Sequence, residues 1–386
     1  MRIFTALTYY RPHYSGLTIY AERVARALVH RGHQVTVLTS RYDRSLLSSE
    51  QRDGVEVVRS SVWLRISKGV IMPGMLWQAW RLGRQADVFL LHMPQLDAAP
   101  IAWMGKLLRK PVVLVYQCDL ILPKGLVHRL ANTASNLASL CAGAAATAIV
   151  HITQDYANSS PFLQRFSQKV RTIMPPIEME PVDSETLSAF LAKYQIQPDE
   201  EVIGMVARLA TEKGVEYLVQ ALPYVLAKHP KARVLFVGPY QNIVGEEVYA
   251  AKINSLIKTL GDHWSFLGVL TPLEFSAFFK CCTVTVLPSI NSTESFGLVQ
   301  LESMLCGTPV IASDRPGMRV PVKETGMGLI FPAGDSHALA QALIQVLDHP
   351  DAYQGHPQQM LERSTPQAVA QAYEILFEQL ISGDSQ

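Results

Sequence analysis

The sequence predicts an α/β protein of two doubly wound parallel-sheet domains in tandem, with a cleft between them. Three observations predict it. At 386 residues the chain exceeds what one hydrophobic core usually organises. Short apolar runs alternate with longer helical patterns in both halves, the signature of βαβ units. The alternation breaks at Pro175-Pro176, with Glu178, Glu180 and Pro181 just beyond. That break sets a first domain over 1–175, a second over 176–365, and a last helical segment over 366–386.

In the first half, strands are expected at 3–7, 34–39, 55–58, 87–92, 112–116, 148–153 and 170–174. Helices are expected at 18–30, 74–84, 100–108, 126–144 and 161–166. Gly32 is placed to stop the first helix, and Ser160 to cap the last. The second half restarts with strand 202–206, helix 215–226, strand 234–237 and helix 246–260. Strands follow near 265–267 and 283–287, then a helix containing Glu302 and a strand at 310–312. Asp335 is placed to cap a helix over 338–347, and a final helix runs from 367 to about 380. Ligands of such sheets sit at the carboxyl ends of the strands.

Apolar residues make up 48% of the chain and charged ones 17%, which suits buried sheets. No apolar run approaches the roughly 20 residues that cross a bilayer. The strand-like start Met1-Arg2-Ile3-Phe4-Thr5 leaves no room for a signal peptide, so a cytoplasmic location is expected. The five cysteines read as reduced, buried thiols, with Cys281 and Cys282 on opposite faces if they lead into a strand. The net charge of +1 conceals a division: residues 1–175 hold 21 Lys+Arg against 9 Asp+Glu, or +12, and the rest 13 against 24, or −11. The basic half fits an anionic membrane met from its inner face, a phosphate-bearing acceptor, or a merely solvated surface. Trp63, Arg65, Lys68, Met72, Met75, Leu76, Trp77 and Trp80 are read equally as an interfacial patch or as packing within the first domain. No nucleic-acid partner is expected.

The stretch Pro288 to Ile311 carries the chemistry. It reads as a strand end, a polar loop, a short helix stopped by Gly307 and a new buried strand. Glu294 precedes the helix and Glu302 projects from within it. Phe296 and Gly297 lie where unpaired helix N–H groups emerge, a natural anion site. This pattern suits a ligand with a phosphate centre and hydroxyls on both sides, such as a nucleoside diphosphate sugar. In Gly204 to Gly214, Arg208 ends a strand and Lys213 starts the next helix. Two cations there can neutralise a departing diphosphate as a magnesium ion does elsewhere. Singly, each residue has an ordinary reading: Arg208 and Lys213 a solvated pair, Glu294 a helix cap, Glu302 a solvent-facing helical side chain.

Together these motifs resemble retaining glycosyltransferase family 4, the group 1 glycosyl transferases with GT-B architecture. Its Glu–seven residues–Glu pattern appears as Glu294 to Glu302, and its Arg-x-x-x-x-Lys-Gly as Arg208 to Gly214. Pro288-Ser289, Gly268, and Gly326-Met327-Gly328-Leu329 with Pro332 and Asp335 also fit. In the first half Gly16, Arg31-Gly32-His33 and Asp87-Val88 leading to His92-Met93-Pro94 match. The resemblance implies two Rossmann-like domains facing across a cleft, with the C-terminal helix packing back toward the first. Arg208, Lys213 and Glu294 would be catalytic. Gly16, Arg208, Lys213, Phe296, Gly297, Leu298 and Glu302 would bind the donor, a UDP-, GDP- or ADP-sugar, with Glu302 on the ribose and Glu294 on the transferred sugar. The acceptor would be a glycan or a lipid-linked hydroxyl. No metal or other cofactor is implied, and the chain has no Asp-x-Asp motif.

Four places depart from the family pattern. Tyr14-Ser15-Gly16-Leu17 has one glycine where a pair is usual. Gln117 stands where a His is frequent after the fourth long strand, and it can orient a sugar but not take a proton. Asp119, the nearest ionisable group, reads as a sugar-side residue or a loop cap. His92 reads as an acceptor-side residue or a satisfied strand-end histidine. The loop Pro316 to Pro321 lacks the usual acid, and Gly238-Pro239-Tyr240 a second glycine. Two rival functions share the architecture: a nucleotide-sugar epimerase, disfavoured by Gln117, and a non-catalytic binding protein, disfavoured by the intact Arg208, Lys213, Glu294 and Glu302.

Overall fold

A computed structural model describes residues 1–66, 69–120, 126–241, 243 and 245–383. Lys68 lies outside the described residues. The chain divides into two compact units, Met1–Pro176 with Arg363–Gln386, and Ile177–Glu362.

In the first unit, β1 (Arg2–Ala6), α1 (Gly16–His30) and β2 (Gln34–Arg41) open the fold. Then come β3 (Ser49–Arg52), β4 (Val55–Ser61), the pair β5 (Leu64–Ile66) and β6 (Gly69–Ile71), and α2 (Met75–Gly83). The chain continues with β7 (Val88–Met93), α3 (Ala98–Leu107), β8 (Val112–Tyr116), α4 (Leu126–Ala145), β9 (Ala148–His151), α5 (Gln154–Ala157), α6 (Pro161–Arg165) and β10 (Val170–Thr172). The eight-stranded sheet has the order β10-β9-β8-β7-β1-β2-β4-β3. All its pairs are parallel except β3 with β4. That antiparallel edge and the β5–β6 hairpin were not foreseen. Ser49-Glu50-Gln51-Arg52 is polar and shows no apolar alternation, since an edge strand need not bury a face.

Local signals placed most helix ends. Ser15 caps α1 reciprocally with Thr18, Gly32 follows its C-cap at φ 85°, and Ser160 accepts from the Leu163 N–H to start α6. Phe4, Leu38, Phe89, Leu91 and Leu114 point to one face of the sheet and pack against Met75, Ala79, Ile101, Ala102, Ala142 and Ala145 of α2, α3 and α4. The cysteine reading needs correction: all five thiols are free, but only Cys282 is buried, Cys118, Cys281 and Cys306 are half-buried, and Cys141 of α4 is exposed.

The second unit opens with α7 (Ser184–Lys193), β11 (Glu201–Val206), α8 (Val215–Leu226), β12 (Ala232–Val237), α9 (Glu247–Lys258) and β13 (Trp264–Gly268). It continues with α10 (Pro272–Cys281), β14 (Val284–Leu287), α11 (Leu298–Leu305), β15 (Val310–Ser313), α12 (Arg319–Thr325), β16 (Gly328–Phe331) and α13 (Ser336–Asp348). Its six strands are all parallel, in the order β13-β12-β11-β14-β15-β16. Asp335 accepts from the His337 and Ala338 N–H groups to start α13. Cys281 and Cys282 end α10 rather than lead a strand, and both thiols donate to the Phe278 carbonyl. The segment 316–321 is not a free loop, because α12 begins within it.

After α14 (Gln358–Arg363), the last helix α15 (Pro366–Ser382) belongs to the first unit and packs on α1. The Tyr20 and Tyr373 hydroxyls lie 2.6 Å apart, both side chains fully buried. At the surface Arg31 pairs with Glu374, which also lies 3.2 Å from His33.

Candidate functional site

In each sheet the connections run both ways from the first strand: β11 lies between β12 and β14, and β1 between β2 and β7. A gap opens at the carboxyl ends where neighbouring strands lead their loops to opposite sides. In the second unit the two loops at that point are 207–214, leaving β11, and 288–297, leaving β14. These hold the two motifs that the sequence singled out.

The loops are built against each other. The Ile290 N–H donates to the Glu212 carbonyl at 3.1 Å. Gly214 adopts φ +65°, and a Cβ there would sit 2.1 Å from the Pro288 carbonyl oxygen, so only glycine allows this approach. Thr211 donates from its N–H and hydroxyl to Glu246 at 3.0 and 2.8 Å, steadying the far side. The Ser313 hydroxyl donates to the Ser289 carbonyl at 2.6 Å and ties the second loop to β15.

On this frame the Lys213 ammonium pairs with the Glu294 carboxylate, and both side chains remain about one-fifth exposed. Arg208 pairs with Glu212 at 2.7 Å and is more open to solvent. The second carboxylate was missed in the sequence, although its i,i+4 spacing from Arg208 is a readable signal. Gly297 is the N-cap of α11 at φ +79°, and no side chain caps that end. A Cβ on Gly297 would lie 2.3 Å from Leu287 Cδ2, so the helix start lies close against β14. Phe296 is buried and Leu298 half-buried.

Glu302, one turn into α11, is only 4% exposed, which removes its ordinary reading as a solvent-facing residue. Gln300, also missed, donates from Nε2 to the Phe296 and Met318 carbonyls at 2.5 and 2.9 Å. It thereby locks the turn before α11 to the segment entering α12. Nothing in a single sequence marks that role.

The first unit places its expected residues differently. Gly16 is the first residue of α1, and a Cβ there would meet nothing within 4 Å, so no backbone constraint demands glycine. His92 ends β7, 1% exposed, edge-on to Tyr20, with neither ring nitrogen hydrogen-bonded among the described residues. Burial pulls its pKa down to about 3. The Gln117 N–H donates to the Met93 carbonyl at 3.1 Å, setting Gln117 beside the end of β7. Asp119 accepts from the Tyr116 and Ser160 hydroxyls, each at 2.7 Å, and from Tyr156 at 3.2 Å, while its own N–H donates to the Tyr156 hydroxyl. That is a loop anchor, and it favours the capping reading over a sugar-side role. Nearby, the His151 Nδ1 lies 2.7 Å from the Tyr116 carbonyl, and burial lowers its pKa to about 4. Among the described residues no group of three or more His, Cys, Asp or Glu is arranged to hold a metal.

The family model for glycosyl transferases group 1 matches residues 188–364, and that for the glycosyl transferase 4-like domain matches residues 15–175. The phosphatidyl-myo-inositol mannosyltransferase of Mycobacterium leprae is 36% identical over 135 residues, 35% of this chain and 34% of that protein. The aligned stretch is thus about a third of that relative's length. Among solved structures, sucrose-phosphate synthase from Thermosynechococcus elongatus matches with TM-score 0.75 and 21% identity over 99% of both chains. Anabaena HepE in complex with UDP and glucose matches with TM-score 0.78 and 18% identity, over 97% of this chain and 99% of that one. At such identities the structural matches speak for the fold alone. Two family models spanning most of the sequence, and a shared fold of two parallel-sheet units, establish that this chain belongs to glycosyltransferase family 4, the group 1 glycosyl transferases of GT-B architecture.

Proposed function

We propose that the protein transfers a glycosyl group from a nucleoside diphosphate sugar to an acceptor hydroxyl, with retention at the anomeric carbon and with protein cations in place of a divalent ion. One observation carries the reading: the loop leaving β11, which bears Arg208, pairs its Lys213 with Glu294 of the loop that leads to the uncapped start of α11. A diphosphate that reaches Lys213 exchanges the carboxylate partner for a phosphate one. Glu294 is then released to accept hydrogen bonds from the transferred sugar's hydroxyls. Arg208 offers a planar fork to the same phosphates, and the α11 N–H groups add a positive partial charge. As the anomeric carbon–oxygen bond breaks, its electron pair stays on the diphosphate, where these groups meet it. The acceptor oxygen forms the new bond and loses its proton to the departing phosphate or to water. Glu302, carboxylate-bearing and buried, suits the paired hydroxyls of a ribose.

A glycolipid or other lipid-linked acceptor is the favoured substrate class, since the M. leprae relative is named for a phosphatidyl-inositol acceptor. No helix among the described residues is long and apolar enough to cross a membrane, and a lipid-linked acceptor would be met at the bilayer surface. The test is incubation with UDP-, GDP- and ADP-sugars and lipid-linked or soluble acceptors in the presence of a chelator, read by mass spectrometry. A glycosylated product whose anomeric configuration matches the donor supports the proposal. Product only when a divalent ion is restored overturns its electrostatic part.

A further inference from the structure

The three helices α2, α3 and α4 form one layer on the sheet of the first unit. α2 touches β2 and β4, α3 touches β7 and β8, α4 touches β8, and α3 contacts both neighbouring helices. Their inward residues fill the core already described, and the opposite sides of α2, α3 and residues 132–145 of α4 carry exposed side chains. Those outer faces are unusual in two respects.

First, they carry large apolar side chains. Four of the chain's five tryptophans are exposed, at positions 63, 77, 80 and 103, and only Trp264, in the second unit, is buried. Trp77 and Trp80 lie on α2 and Trp103 on α3, with Leu107 of α3 and Leu137 of α4 also exposed. Single exposed hydrophobic residues are ordinary, but a cluster of this kind marks an interaction surface.

Second, the layer has no acidic residue in any of its three helices. From 57 to 154 the sequence holds ten Lys+Arg against three Asp and no Glu. Of those three, Asp87 pairs with Arg2, and Asp119 is taken up by three hydroxyls. Cations lie directly on the tryptophans: the Arg81 guanidinium is 5.3 Å from the Trp77 ring centroid, and Lys106 Nζ is 4.8 Å from that of Trp103. Lys106 also joins the apolar face to a cavity of about 710 Å³ lined by Arg109, Lys110 and Lys169, with Asp87, the partner of Arg2, as its one carboxylate among the described residues. Lys169 already donates to the Gly143 and Ala146 carbonyls, closing the end of α4, so Lys106, Arg109 and Lys110 are the cations left to face a ligand.

We propose that the α2–α3–α4 face seats on an anionic bilayer, with Trp77, Trp80 and Trp103 at headgroup level and Lys106, Arg109 and Lys110 taking lipid phosphates. Indole rings prefer the boundary between hydrocarbon and water, and a helical layer with a marked excess of cations over carboxylates is complementary to anionic headgroups. A soluble acidic partner would need the charge but not the tryptophans. A second copy of this chain would bring the same positive face against itself.

The inference goes beyond the transferase reading and is tested without any transfer. Full-length protein is sedimented with vesicles of phosphatidylcholine alone or with about 30% phosphatidylglycerol, and tryptophan emission is followed. Binding to the anionic vesicles with a blue-shifted emission, lost as salt is raised, is expected. Arg81→Gln/Lys106→Gln/Arg109→Gln/Lys110→Gln should weaken partitioning by roughly 100-fold or more, at about fivefold per charge. Trp77→Ser/Trp103→Ser should abolish most of the blue shift while leaving the thermal melt unchanged. Lys231→Gln, in the second unit, should bind as the parent does. Protein that stays in the supernatant with anionic vesicles overturns the proposal. So does binding equally strong to both vesicle types, or a face whose substitution changes only self-association in sedimentation velocity.

Discussion

Lys213 and Glu294, 81 residues apart in sequence, form an ion pair where the loops leaving β11 and β14 meet. The pair holds a cation ready without leaving it uncompensated, and in the proposed reaction a diphosphate would take over one side of it. Lys213→Ala is therefore expected to lower turnover by about 100- to 1,000-fold, with the nucleotide Kd changed by less than about fivefold. Steady-state kinetics beside calorimetric titration with the free nucleotide separates the two. Equal losses would count against a leaving-group role.

Glu302 is nearly inaccessible to bulk solvent, so a hydrogen bond that it accepted from a ligand hydroxyl would be charge-assisted and little screened. Glu302→Gln keeps the shape and removes the charge. Donor affinity should fall by roughly 10- to 100-fold, in line with about 1.5–3 kcal/mol for hydrogen bonds to charged groups. Competition between a labelled nucleotide sugar and its parent nucleoside measures it, and an unchanged Kd would refute the assignment.

Gly214 combines a left-handed backbone with a contact that leaves no room for a Cβ. Gly214→Ala should destabilise the protein by about 2 kcal/mol or more, since the conformation alone costs a side chain roughly 1–2 kcal/mol. Because relief requires the 208–213 loop to withdraw from Pro288, donor affinity should fall as well. Urea melts and nucleotide titration of the variant test both effects.

Tyr373 of α15 and Tyr20 of α1 share a hydrogen bond with no exposure to water. Tyr373→Phe strands a buried hydroxyl and should cost about 1–3 kcal/mol, whereas Tyr20→Phe/Tyr373→Phe removes both partners and should cost less than the single change. A double-mutant cycle by chemical denaturation decides it.

His92 and His151 are buried neutral, with folded pKa values of about 3 and about 4 against an ordinary 6.5. Above pH 6.5 neither form binds a proton and the stability from these sites is complete. Below it the unfolded chain takes up protons that the folded chain refuses, so each histidine removes about 1.4 kcal/mol per pH unit until its folded pKa is reached. Melting temperature should fall as pH drops from about 6 to about 4, and His92→Asn should reduce that slope by roughly half. An identical slope in the variant would show that other groups dominate the acid transition.

The sequence alone determined what is local. The caps at Ser160 and Asp335 and the stop at Gly32 each depend on a few neighbouring residues, and the structure shows each where it was expected, whereas α7, α10, α12 and β16 were not expected from the sequence. The two motifs were legible for the same reason, since each lies within one strand–loop–helix unit. Tertiary structure decided which partners these residues take. Placing β14 beside β11 sets Lys213 against Glu294 and Gly214 against Pro288, and it buries Glu302, which reads as exposed in isolation. In the first unit the fold gave Asp119 three hydroxyl donors, from residues 3, 37 and 41 positions away, turning a candidate site residue into an anchor. Propensity and periodicity describe the chain over a turn or a strand, whereas strand order brings together residues that share no local signal.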